Sequence, residues 1–156
     1  MRRPLLTAAL LWLAVSGGAR ADHQIANLKA FKTVCLTVVF REQDKENEAV
    51  LKALVGRMFA ALDRAGIPVE DGCKLEGSVG GQTQLNLSYV FTTTGDGATY
   101  EAALEGWLYT DGPYTDVTLW RDSYFGSLDA GAGGIQAADS LDLTMDAFVK
   151  QWGSVH

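Results

Sequence analysis

Two periodicities divide the chain. Between Phe31 and Phe40 (FKTVCLTVVF) a period of two puts Val34, Leu36, Val38 and Phe40 on one face and Thr33, Cys35, Thr37 and Val39 on the other, which predicts a strand rich in β-branched residues. A charged stretch, Arg41 to Glu48, separates it from a helical stripe of Leu51, Leu54, Val55, Met58, Leu62 and Ala65. Gly66 and then Pro68 mark its stop, glycine because a helix commonly ends on a left-handed residue. Lys74 to Val79 (KLEGSV) reads as a short strand ended by Gly80-Gly81. Strict alternation follows from Thr83 to Thr93, with Leu85, Leu87, Tyr89 and Phe91 inward and Gln84, Asn86, Ser88 and Thr92 outward on a wet face. Turns at Thr94-Gly95-Asp96-Gly97 and Asp111-Gly112-Pro113 bound two further strands, Thr99 to Thr110 and Thr115 to Leu128. After a DAGAGG loop, Ala138, Leu141, Met145, Phe148, Val149 and Trp152 stripe a last helix from about Ile135 to Trp152.

The order is strand, helix, several strands, helix. It predicts an α+β fold in β-α-β-β-β-β-α order: a mixed sheet of four to five strands, with two helices packed on one face. A right-handed crossover would set the first strand parallel to KLEGSV, and the last three strands would form a meander.

The amino terminus adds a location. Arg2 and Arg3 precede an apolar run from Leu5 to Val15, and Ala19-Arg20-Ala21 fits the signal-peptidase rule. The expected organisation is a signal peptide over residues 1–21 and one domain over 22–156, in the periplasm or secreted. No later apolar run would span a bilayer. Without residues 1–21 the formal net charge moves from −6 to −9, and all of that excess lies beyond Lys74. Such a surface repels phosphate backbones, so no nucleic-acid partner is expected. Cys35 and Cys73 are the two cysteines, and export favours a disulfide. The crossover brings the starts of two parallel strands to one edge, which makes the bridge feasible.

The chain resembles a recurring periplasmic module on Lys74-Leu75-Glu76-Gly77-Ser78-Val79, on Leu119-Trp120-Arg121-Asp122-Ser123-Tyr124-Phe125-Gly126, and on Ala137-Ala138-Asp139 through Phe148-Val149-Lys150-Gln151-Trp152. The module is that of the TolB amino-terminal domain, the curli-secretion lipoprotein CsgG and the lipopolysaccharide-assembly lipoprotein LptE. The resemblance implies a non-enzymatic docking or assembly part of the envelope.

The residues offer little chemistry. His23 and His156 are terminal, and no nucleophile stands beside a base. No cofactor or metal set is recognisable, since the acidic turns lack calcium-loop spacing. DAGAGG precedes a helix and could present amides to an anion, though no Lys or Arg stands beside it. The meander is more informative. Counted by two, Glu101, Glu105, Trp107 and Tyr109 share a face, and Thr118, Trp120, Asp122 and Tyr124 are expected beside them on the next strand. Aromatics there stabilise a sheet by cross-strand pairing, but an exposed apolar patch also marks a contact surface. Trp107, Tyr109, Trp120, Asp122, Tyr124 and Glu105 are therefore the candidate binding surface, for a protein partner or a second copy. The alternative is a glycan-binding protein or small hydrolase in which Glu101 and Glu105, expected roughly 7 Å apart, act beside Trp107 and Trp120.

Overall fold

The structure is a computed structural model and describes residues 22–74, 82–109 and 116–156. The expected signal peptide, the KLEGSV segment from residue 75 onward and the Asp111-Gly112-Pro113 turn lie outside the described residues. The elements are α1 (Asp22–Leu28), β1 (Thr33–Arg41), α2 (Glu48–Arg64), β2 (Gln84–Thr93), β3 (Thr99–Tyr109), β4 (Asp116–Ser127) and α3 (Gly133–Gly153). The fold is α+β, with a four-stranded mixed sheet in the order β1-β2-β3-β4. The helix α1 is additional to the expected order. Among the described residues no helix is long and apolar enough to cross a membrane.

Local chemistry explains the boundaries. The Asn47 side chain accepts hydrogen bonds from the amides of Ala49 and Val50 and so starts α2. Its end is a left-handed Gly66, with Gly66 N–H donating to Asp63 and Ile67 N–H to Leu62. The parallel partner of β1 is β2, in the register Val34↔Leu85 to Phe40↔Phe91, and β2, β3 and β4 form the antiparallel meander. Parallel pairing keeps the apolar sets of β1 and β2 on one face. There they meet Leu54, Met58 and Leu62 of α2, and Leu141, Met145 and Phe148 of α3. Leu28 of α1 joins the same core. Tyr89 donates its hydroxyl proton to the Ala137 carbonyl at 2.7 Å, pinning α3 to the sheet. Burial raises the Tyr89 pKa well above its ordinary value, which keeps that donor protonated.

The segment after α2 runs along the open side of β1. Val34 N–H donates to Pro68, Glu70 N–H donates to Val34, and Val69 bridges Val34 in parallel. From there the chain turns over the helix-free face, where Cys73 is bonded to Cys35. The expected bridge is therefore present, and among the described strands the parallel neighbour of β1 is β2. Gln84 holds the segment down. Its carbonyl accepts from Lys74 N–H at 2.8 Å, and its amide donates to Glu70 Oε2 and the Gly72 carbonyl. Gln84, Asn86 and Ser88 do face away from the helices, but they are buried, not wet. The disulfide-tied segment supplies Gln84 with the partners that a buried amide requires.

Candidate functional site

Strand pairing decides which meander residues share a face. Opposite β3, the register runs Glu101↔Phe125, Ala103↔Ser123 and Glu105↔Arg121 on the helix-free side, and Ala102↔Tyr124, Leu104↔Asp122 and Gly106↔Trp120 on the helix side. A bulge between Gly106 and Trp107 then sets Trp107 against Thr118 and leaves Leu119 as an extra residue. Trp107 shares its face with Glu101 and Glu105, as expected; the side chain of Tyr109 lies outside the described residues.

Trp120, Asp122 and Tyr124 do not join them. Trp120 is 1% exposed, packs edge-on against Phe148 at 5.2 Å and donates its indole N–H to Gln151 Oε1 at 2.7 Å. Its strand partner Gly106 has no side chain, and a Cβ added there would meet Leu85 at 2.9 Å. The largest fully buried side chain is thus a core residue, because the pairing register turns it toward α3. Asp122 and Tyr124 share that helix side near the edge of the sheet, and Tyr124 remains 38% exposed.

The carboxylate pair also differs from expectation. Glu101 and Glu105 are four residues apart, with Ala103 between them on the same face, so their backbone positions are about 13 Å apart. Their carboxylates meet at one guanidinium: Arg121 Nη2 lies 2.7 Å from Glu101 and Arg121 Nε 3.3 Å from Glu105. The arrangement is a cross-strand ion network and leaves no gap for substrate between an acid and a base.

An open cleft of about 690 Å³ lies at the opposite end of the sheet, lined among others by Phe40, Glu42, Gln43, Lys45, Asp96 and Leu128. No sequence pattern announces it, since its walls come from three turns. Gln43 donates to the Asp96 carbonyl, and Asp96 Oδ1 accepts from the Thr94 hydroxyl at 2.5 Å and from Ala98 N–H. The Thr94 hydroxyl is the main cause of a lowered Asp96 pKa. Glu42 Oε1 accepts the Gly133 amide at 3.3 Å, at the start of α3. The DAGAGG segment is therefore partly helical, and its free amides face a carboxylate of the chain itself. These groups bond one another instead of converging on an open point. Among the described residues no cluster of His, Cys, Asp and Glu could hold a metal ion.

What remains exposed is the far edge of β4. Val117, Tyr124 and Phe125 are three of the six large exposed apolar side chains among the described residues, and Phe125 is 85% exposed. Phe125 was legible in principle, because once Trp120 is inward a period of two turns residue 125 outward. Compared with known proteins, the chain matches no family model and no curated protein.

The tether beside the disulfide has its own pH dependence. Glu70 is held below its ordinary value of 4.5, first by the nearby Thr33 hydroxyl and then by Lys74 at 3.2 Å. That hydroxyl is buried with no partner meeting full hydrogen-bond geometry, so its effect is one of proximity. A lowered carboxylate pKa contributes stability above 4.5, and that contribution is lost as pH falls through the lowered value. Amide exchange at residues 70–74 is expected to accelerate, relative to α2, as pH falls from 4.5 through the lowered Glu70 pKa, and Glu70→Gln is expected to abolish that difference. The same acceleration in the variant would exclude this origin.

Proposed function

We propose that this chain is an exported, non-enzymatic module of the cell envelope, working in the periplasm or after secretion, which docks a protein partner or another copy of itself through the β4 side of its sheet. The observation that carries the reading is the exposure of Phe125, with Tyr124 next to it, on the edge strand β4. Large apolar side chains grouped on a surface mark contact sites. The resemblance to the TolB, CsgG and LptE type supports it, because those are docking and assembly parts, and fold analogy by itself assigns no task. The hydrolase or glycan alternative loses its support, with Trp120 in the core and Glu101 and Glu105 shared by Arg121.

A photo-crosslinking residue at Phe125 is expected to give protein adducts in the exporting cell. One at Leu143, exposed on α3 at the other side of the core, is expected to give none. No adduct at Phe125, or equal yield at both positions, would sink the proposal.

A further inference from the structure

The two edges of the sheet are treated differently. The open side of β1 is occupied by residues 68–70, which hydrogen-bond to Val34. On β4 the Asn27 amide of α1 donates to the Leu119 carbonyl at 2.9 Å. Beyond that point the strand continues to Ser127 with neither Pro nor Lys, the residues that commonly protect a free edge.

Hydrogen-bond parity shows what this edge offers. Leu128 N–H donates to the Ala98 carbonyl, so residues of even number in β4 turn their amides and carbonyls toward β3. Odd residues turn theirs outward, as the Leu119 carbonyl bonded to Asn27 confirms. Ser123, Phe125 and Ser127 thus present outward N–H and C=O groups that no other described element meets. An unpaired row of this kind templates another strand.

Resting on the docking reading above, we infer that the occupant is a second copy of this chain, and that the two β4 strands pair antiparallel about a two-fold axis at Tyr124. The window favours one register, the longest that avoids Leu119. Pairing centred on Ser123 would bring Ser127 onto Leu119, whose carbonyl Asn27 already holds. Pairing centred on Asp122 would set two aspartates face to face, which opposes association. Centring on Tyr124 pairs Ser123 of each copy with Phe125 of the other and stops short of Leu119.

In that register Tyr124 meets Tyr124 on the helix side, where opposed residues of a non-hydrogen-bonded pair lie closest. Ser123 pairs with Phe125, so the two Phe125 rings become diagonal neighbours on the other face. Asp122 falls opposite Gly126 and Arg121 opposite Ser127, so no like charges are opposed. The most exposed aromatic of the described chain and its neighbour are both covered by one symmetric contact, and two four-stranded sheets become one of eight strands.

Sedimentation equilibrium of the exported protein tests this. The wild type is expected to have twice the chain mass. Phe125→Lys and Ser123→Pro are expected to weaken self-association at least about tenfold while circular dichroism and Tm stay near wild type. Ser123→Pro removes an outward donor only, and Phe125→Lys covers the case in which the proline disturbs folding. Tyr124→Cys is expected to form a disulfide between copies on mild oxidation, and Asp122→Cys is not. A monomer at about 0.1 mM, a dimer untouched by Phe125→Lys, or linkage through Asp122→Cys instead of Tyr124→Cys would overturn the inference. A monomer whose Phe125 still crosslinks to a different protein would overturn self-pairing and leave the docking reading standing. A monomer with no adduct at all would end both.

Discussion

Trp120→Ala is expected to destabilise the domain by about 3–5 kcal/mol, the cost of removing a large buried aromatic without collapse of the site. Three losses combine. The indole leaves a cavity against Phe148, Gln151 loses the donor that meets its side-chain carbonyl, and Gly106 opposite has no side chain to fill the space. For a domain of this size the loss corresponds to a fall in Tm of roughly 10 °C or more. Thermal melts followed by near-ultraviolet circular dichroism measure it. A loss under about 1 kcal/mol would mean that Trp120 is not in the core. The result also decides how a binding experiment is designed. An alanine at Trp120 that abolishes partner capture reports unfolding, whereas Phe125 can be changed at the surface.

Breaking the Cys35–Cys73 bridge is the second large effect. The cysteines are 38 residues apart in sequence, and on the chain-entropy estimate closing such a loop contributes about 4 kcal/mol. The residue-level consequence is local. Segment 70–74 is held by the bridge, by three hydrogen bonds to the Gln84 side chain, and by the Lys74–Glu70 ion pair. Without the bridge, those polar contacts alone must keep the buried amide of Gln84 satisfied. The Cys35→Ala/Cys73→Ala double variant is expected to show a lower denaturant midpoint, with amide protection lost first at residues 70–74. Equal midpoints with and without the bridge would show that the segment is held by its hydrogen bonds alone.

These two features mark the limits of what the sequence shows. The strand Gln84–Thr93 is unambiguous because its apolar set is in phase along its whole length. The stop of α2 was equally legible, since Gly66 acts locally. β4 is different. Its helix side reads Trp120, Asp122, Tyr124, Gly126 and its other side Arg121, Ser123, Phe125, Ser127, so each face carries aromatic and polar residues and alternation names no inside. The choice is made by pairing with β3 and by the bulge at Gly106/Trp107, which are tertiary facts. The wet face expected for β2 failed for a related reason. What covers Gln84 is a segment brought from beyond α2, and only the cysteine pair hinted that the chain returns there.

The Glu42–Gly133 contact has a consequence for how the molecule comes apart. α3 starts without a side-chain cap of its own, and the carboxylate at its first turn belongs to a residue 91 positions earlier. A Cβ at Gly133 would meet that carboxyl group at 2.5 Å, so any side chain there would displace Glu42 from the amide it accepts. The start of α3 is thus finished by a residue from the segment between β1 and α2. Protection against exchange at residues 42–46 and at the opening turn of α3 should therefore rise and fall together, as one foldon. A nick in either segment would loosen both.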